Sequence, residues 1–561
     1  MGFQALLMVP LGFAALCLFT FLRTNLLYQI AIRDKRNEKV PPILPHTIPW
    51  LGHVFGFLTP APGRFFRKLL SWYSREHGGA SMKLAGRDVR LIFSTTAVQA
   101  LMKAKTDVAN SDTMIKDMIC KGLGLSGQEY AKYVGHGRHL EHEISNKYLL
   151  RPTGADVLVR SFSRFMKAGI MEESTRLASG AGDSKTGEAL ILFPWLRSFM
   201  FKASATSFFG EHLFKEYPGL MSDFWEFEPM FLDLLFGVPK FVNSVPHTLQ
   251  QKVHRGMTAW VEANDRAMGD KVPSPDAPDV DWEPRWGSRL VRAREALFKS
   301  LGISAAGRAS FELGMMFALN ANAVPASGWL LIHILDPRTP DILPRIMEEI
   351  QEAVDRRAGL RPAHPPQPAA AAGMFHEVLR LYVDVLITRG VYQDMKLPTE
   401  DGQRKLLLKK GTVAMAPSYV NHYDPNGYAG APVDEFDGER FLVPANDSDE
   451  APGHPDDEKA AKVSRKPYAF SLGAAGAKMI PFGGGRTMCP GRVFAKREVF
   501  TAVALVLLNF ELAPIAGEAY KIPPHLPSYS GTGVISHGGD VKVQVKRRAG
   551  GAQQRKPSVV S

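Results

Sequence analysis

The stretch Pro481-Phe482-Gly483-Gly484-Gly485-Arg486-Thr487-Met488-Cys489-Pro490-Gly491-Arg492 constrains this 561-residue chain more than any other. Three consecutive glycines permit a tight, positive-φ backbone that can come close to a flat cofactor. They also let main-chain N–H groups point at the Cys489 sulfur, which favours a thiolate. From Val493 to Leu512 the apolar residues recur at helical period, so the loop runs directly into a helix N-terminus. The dipole at that end again favours a negatively charged sulfur. In isolation a lone cysteine beside glycines is more often a buried structural residue; the spacing around this one raises a chemical role.

Cys17, Cys120 and Cys489 are the only cysteines, and Cys17 lies in an apolar N-terminal run, so no even framework staples the fold. The main domain therefore belongs on the reducing side of a membrane. Phe3 to Leu22 carries one strongly polar residue, Gln4, and is long enough to cross a bilayer as a helix. No small-residue cleavage site follows it, and the basic residues from Arg23 onward hold that flank in the cytosol. The formal charge of +12 resembles a nucleic-acid signal until it is located. Six cations, Lys542, Lys546, Arg547, Arg548, Arg555 and Lys556, sit near the C-terminus, and Arg33, Lys35, Arg36 and Lys39 follow the apolar run. Neither group has interleaved aromatics or a nucleic-acid module, so anionic lipid is the better partner for the N-terminal cluster and nucleic acid is not expected.

No internal repeat is visible. Pro60 to Arg357 reads as mostly long helices broken by a loop from Val272 to Trp286, with another loop, Arg361 to Gln367, after it. Helical period is clear over Phe311–Leu335 and Ile342–Val354. Strand signals lie at Met82–Leu84 with Val89–Phe93, at Lys405–Leu408 with Val413–Met415 across a turn at 408–412, and at Val541–Val545. The expected organisation is an anchor at 1–23, a basic and proline-rich linker at 24–52, and one mainly α catalytic domain with small sheets at 53–545. Within that domain 446–466 is a surface insertion, and 546–561 is a basic disordered tail.

Phe482, Gly485, Cys489 and Gly491 resemble the haem-binding signature of the cytochrome P450 family, with phenylalanine seven before the cysteine and glycine two after. The resemblance implies a membrane-anchored P450 fold, with Cys489 as the axial ligand of haem iron. A thiolate there pushes electron density towards bound dioxygen and favours O–O cleavage. The family's basic residue two before the cysteine is replaced by Thr487, with Arg486 one place earlier, so either could meet a haem propionate. Glu377 and Arg380 share a helix face, and the resemblance implies a buried triad with Arg440, although the usual proline of the Arg440 motif is missing. Arg389 matches the family position that pairs with a propionate. Arg138 is a second candidate for that task, without the tryptophan the family often places near it.

In the helix over the haem, most family monooxygenases carry an acid-threonine pair, where this chain has Asn322 and Ala323. Pro325 cannot donate to the carbonyl of Ala321, and Asn322 is the expected polar substitute in proton delivery. The Asn-x-x-Pro-Ala run resembles the branch containing cholesterol 7α-hydroxylase, sterol 12α-hydroxylase and prostacyclin synthase. The apolar segments Phe208–Phe236, Val383–Ile387 and Gly533-Val534 are candidates to face a substrate, or simply core, and Asp384 is a polar member that could meet a substrate hydroxyl. The resemblance implies a monooxygenase acting on a lipophilic molecule in fungal secondary metabolism. Its electrons would come from NADPH through a cytochrome P450 reductase, on the cytosolic face of the endoplasmic reticulum. The missing acid-threonine pair keeps open an isomerase or dehydratase acting on a peroxide; a non-catalytic haem-binding membrane protein is the third reading.

Overall fold

In the computed structural model the N-terminal helix spans Gly2–Arg33, ten residues beyond the expected end of the anchor. The structure describes residues 2–34, 36–57, 65, 69, 78–179, 187–269, 271–277, 280–357, 369–444, 468–524 and 532–548. The expected 446–466 insertion and the Arg361–Gln367 loop lie outside these. Pro10–Arg33 has a mean hydropathy of 1.5, and only 11% of its most apolar window is buried. Leu11, Phe13, Leu18 and Phe19 stand exposed along it. Its last turns belong to the globule rather than to a linker. The Thr24 hydroxyl accepts from the His46 N–H at 3.1 Å, and Tyr28 is buried beside Leu44 and Phe57.

A second helix, Ala305–Ile334, passes the same length and hydropathy test, but 83% of its apolar window is buried. A helix that is apolar nearly all round belongs in the centre of a domain, and this one carries residues of the two largest apolar clusters. Ser304 caps its start by accepting from the Gly307 N–H at 3.1 Å. The helix runs through Pro325 without a break.

A mixed sheet is laid beside this core in the order Thr532–Val534, Val383–Val391, Val413–Pro417, Arg87–Ile92, Gly79–Leu84. Lys405–Leu408 and Val413–Pro417 both form strands, yet they do not pair as a hairpin. The turn between them is captured by the neighbouring strand, with the Gly411 N–H donating to the Val391 carbonyl at 2.8 Å and the Val391 N–H to Thr412 at 2.9 Å. Val413 is thereby set opposite Gly390, while Lys405–Leu408 pairs with Met395–Pro398 in another sheet.

Near the C-terminus, Lys542–Arg547 is inserted between Phe510–Pro514 and Glu188–Ile191. The last strand runs past 545: Lys546 pairs with Glu511 and Arg547 with Phe510, so these two residues are sheet rather than tail, and the rest of the expected tail beyond 548 lies outside the described residues. The helix after the cysteine loop is Arg492–Asn509, and Phe510 to Leu512 begin the strand beside it.

Candidate active site

The cysteine loop is closed by its own main chain. The Gly483 N–H donates to Ile480 at 3.0 Å, the Met488 N–H to Gly485 at 3.2 Å and the Cys489 N–H to Phe482 at 2.9 Å. Gly485 sits at φ +66, and a Cβ there would lie 2.0 Å from the Met102 carbonyl oxygen. A Cβ on Gly484 would fall 2.0 Å from the Met102 sulfur. The close approach that demands glycine at these two positions is thus to the end of the Thr95–Met102 helix. Buried His422 accepts the Ile480 N–H at 3.1 Å, which fixes the entry to the loop. Phe482 is half-buried against the main core.

Cys489 remains solvent-accessible, with Gly491 capping the Arg492–Asn509 helix directly after it. The protein packed around the thiol raises its pKa, against the pull of the Gly491 and Arg492 N–H groups and the Arg492 guanidinium. The main-chain donors that reach the sulfur belong to the helix start, Gly491 and Arg492, and not to the glycine run, whose Gly483 N–H is spent on Ile480; they do not win on their own. Full thiolate character would come from a coordinated cation.

Arg389 supplies the complementary feature. Its guanidinium is buried and donates to Ser111 Oγ at 2.6 Å, Thr487 Oγ1 at 2.7 Å, Thr388 O at 3.0 Å and Gly484 O at 3.3 Å. Every partner is neutral, and burial pulls its pKa down with no carboxylate to oppose it. A buried cation without a counter-ion is costly, so the arrangement suits a bound carboxylate. Of Arg486 and Thr487, it is Thr487 whose side chain joins it, while Arg486 is exposed. Arg138 ion-pairs with Asp112, next in sequence to Ser111, so both arginines reach the start of the Asp112–Asp117 helix. Nothing in the local sequence marked Ser111.

The structure brings Glu377, Arg380 and Arg440 together with essentially no exposure. Glu377 Oε2 accepts from Arg380 Nε at 2.7 Å, and Oε1 accepts from Arg380 Nη2 at 2.7 Å and from Arg440 Nε at 3.0 Å. The Arg380 guanidinium also donates to the His422 and Val433 carbonyls, tying the helix Ala369–Tyr382 to the segment before the cysteine loop.

Asn322 is committed on both sides of its amide. Its Nδ2 donates to the Ala318 carbonyl at 3.1 Å and its Oδ1 accepts from the Val534 N–H at 3.0 Å. It therefore clips the long helix to the strand Thr532–Val534, leaving one N–H and one lone pair for other use. Phe208, Phe209, Phe224, Phe227 and Phe231 belong to a buried core cluster. Spacing could not separate that role from a substrate-facing one. The group that fits these residues is haem: an accessible thiol before a helix N-terminus, with a buried guanidinium on the strand beside it that has only neutral partners among the described residues.

A family model described as Cytochrome P450 matches residues 312–543. The chain is 27% identical over 552 residues to a cytochrome P450 monooxygenase, efuG, of Hormonema carpetanum, covering 91% of this chain and 92% of that one. It is 24% identical over 557 residues to the 7-alpha-hydroxycholest-4-en-3-one 12-alpha-hydroxylase of Oryctolagus cuniculus, covering 97% of both. Retinoic acid-bound cyanobacterial CYP120A1 has the same fold, with a TM-score of 0.60 at 18% identity, covering 91% of this chain and 99% of its own.

Proposed function

We infer that the chain is a haem-iron oxidoreductase of the cytochrome P450 superfamily, of the monooxygenase type, as the family model over residues 312–543 and the monooxygenase relatives support, and that it oxidises a lipophilic small molecule. The substrate is a terpenoid, sterol-like or polyketide molecule in fungal secondary metabolite biosynthesis; the relatives in Hormonema carpetanum, Humicola fuscoatra and Penicillium decumbens, each named a cytochrome P450 monooxygenase, support the enzyme class. Electrons come from NADPH through a cytochrome P450 reductase. The observation that carries the reading is the convergence of buried Arg389, Thr487 and the Cys489 loop at one place.

Cys489 would hold the haem iron through its sulfur. Haem, when bound through a thiolate, supplies the activation of dioxygen. The Gly491 and Arg492 N–H groups moderate the charge on that sulfur, and the Glu377–Arg380–Arg440 triad holds the loop's approach in place. Arg389 would receive a carboxylate of the cofactor, with Arg138, paired to Asp112, beside the same helix start. Asn322 orients a water or a substrate hydroxyl with its remaining N–H and lone pair. The Gly2–Arg33 helix anchors the enzyme once in the endoplasmic reticulum membrane, with the catalytic domain cytosolic. Membrane lipid is then its immediate partner.

Asn322 and Ala323, at the positions of the acid-threonine pair, favour the second reading, rearrangement of a peroxide without external electrons. Co-expression with a reductase, followed by comparison of metabolites with and without the gene, separates the two. A new oxygenated product that needs NADPH supports the monooxygenase. Turnover of a peroxide with no NADPH supports the isomerase, and no product in either arm leaves a haem-binding protein without this chemistry.

A further inference from the structure

Asp384 is the second residue of the strand Val383–Val391 and is 1% exposed; among the described residues its carboxyl feels the pull of the Tyr419 main-chain N–H but neither oxygen has a partner at full hydrogen-bond geometry. A polar group in that position costs free energy unless something satisfies it. Its location narrows what that something is. Across the ladder its Cα partner is Gly533, and residues directly opposite in a sheet share a face. A Cβ on Gly533 would lie 1.9 Å from Asn322 Oδ1, so this face of the strand is the one that the long helix covers with Asn322.

Leu386, two residues on and on the same face, packs among Phe57, Met415 and Val420, with Phe236 against them. The carboxyl therefore sits at the edge of an apolar wall, beside a polar amide from the helix. The other face of the strand carries Arg389 to the cysteine loop. One strand thus serves the loop with one face and Asn322 with the other.

We propose that Asp384 recognises a hydroxyl group on the otherwise apolar substrate, at a point beside Asn322. This rests on the reading of the protein as an enzyme that acts on a lipophilic molecule. Burial pushes the carboxyl up to about 7, against the pull of the Tyr419 main-chain N–H. A substantial fraction is consequently the neutral acid near neutral pH, with one O–H to donate and a carbonyl to accept. That pairing matches an alcohol, which can accept the one and donate to the other. An ether offers only the acceptor, and a hydrocarbon neither.

The test uses the detergent-solubilised holoprotein and three probes of one shape: a tricyclic diterpene alcohol, its methyl ether and the parent hydrocarbon. Binding is read twice, as the ligand-induced change in the haem absorption spectrum and as the shift in thermal midpoint. The wild type should bind the alcohol about tenfold more tightly than the ether or the hydrocarbon, the worth of one hydrogen bond to a buried group. Asp384→Asn, which can still donate and accept, should keep the alcohol within about threefold of wild type. Asp384→Leu should weaken the alcohol about tenfold and leave the hydrocarbon unchanged or tighter. The inference is overturned if the wild type has no preference for the alcohol, including no binding of it. It is equally overturned if Asp384→Leu weakens alcohol and hydrocarbon alike. Should Asp384→Leu fail to retain haem, the wild-type preference and Asp384→Asn decide the matter. Binding needs no NADPH, so the two readings fail separately. Alcohol discrimination in a protein that turns over without NADPH sinks the monooxygenase alone, and NADPH-dependent product without discrimination sinks the role of Asp384 alone.

Discussion

Glu377→Gln is the substitution whose cost can be worked most directly from the structure. Glu377 accepts four hydrogen bonds: two from Arg380 and one each from Arg440 Nε and the Asp437 N–H. A glutamine carbonyl in place of Oε1 keeps three of these as weaker bonds to a neutral acceptor. The amide nitrogen in place of Oε2 then faces Arg380 Nε, donor against donor. Two guanidinium groups also lose the one carboxylate they share. Breaking a buried charge pair by removing one partner costs about 3–5 kcal/mol, a large part of the roughly 5–15 kcal/mol that holds a domain folded. The main-chain carbonyls around Arg380 and Arg440 soften the loss and place the expectation near the lower end. Urea unfolding followed by tryptophan fluorescence, with haem retention measured in parallel, should give a lower midpoint and a largely haem-free variant. A shift worth under about 1 kcal/mol with full haem retention would refute the structural role given to the triad.

Glu498 should give the protein a pH-dependent stability. Burial pushes its carboxyl up to about 8 from an ordinary value of 4.5, against the hydrogen bond from the Ser204 hydroxyl. The folded state therefore holds a proton that the unfolded state has released. This contribution is complete below about 4.5 and is lost as pH rises through 8, at up to about 1.4 kcal/mol per pH unit in between. Glu498→Gln should flatten the difference between pH 6 and 8 by roughly 2–3 kcal/mol; parallel stability profiles for the two proteins would contradict it. Asn322→Ala should lower product formation about 10²-fold and raise NADPH consumption without product at normal haem content. Fully coupled turnover in that variant would place proton delivery elsewhere. The whole chain should stay in alkaline-washed membranes, and a form starting at Pro41 should be extracted more readily; recovery of the whole chain in the soluble fraction would refute the anchor.

What the sequence revealed and what it hid follow one physical division. The cysteine loop and the Glu377–Arg380 pair were legible because their geometry is set within a few residues, by glycine conformation and by helical spacing. The long helices were legible because a buried face repeats with their period. Arg389 was visible as a candidate, but its partners Ser111 and Thr487 lie 278 and 98 residues away along the chain, and no local pattern encodes them. The same limit hid the partner of Lys405–Leu408. Its strand character is local, whereas its place in a different sheet from Val413–Pro417 depends on which edge captures the turn. The end of the N-terminal helix was misplaced because Thr24 and Tyr28 look like the start of a linker until His46 and Leu44 are folded against them. The phenylalanines at 208–231 were ambiguous for a related reason: an apolar aromatic reads alike in a core and in a pocket.

The spectrum of the reduced protein with carbon monoxide tests the central claim most directly. With Cys489 as the axial ligand, the wild type should show the absorption band characteristic of thiolate-ligated haem, and Cys489→Ser should lose that band. A Cys489→Ser protein that binds haem and keeps the same band would show that another group holds the iron.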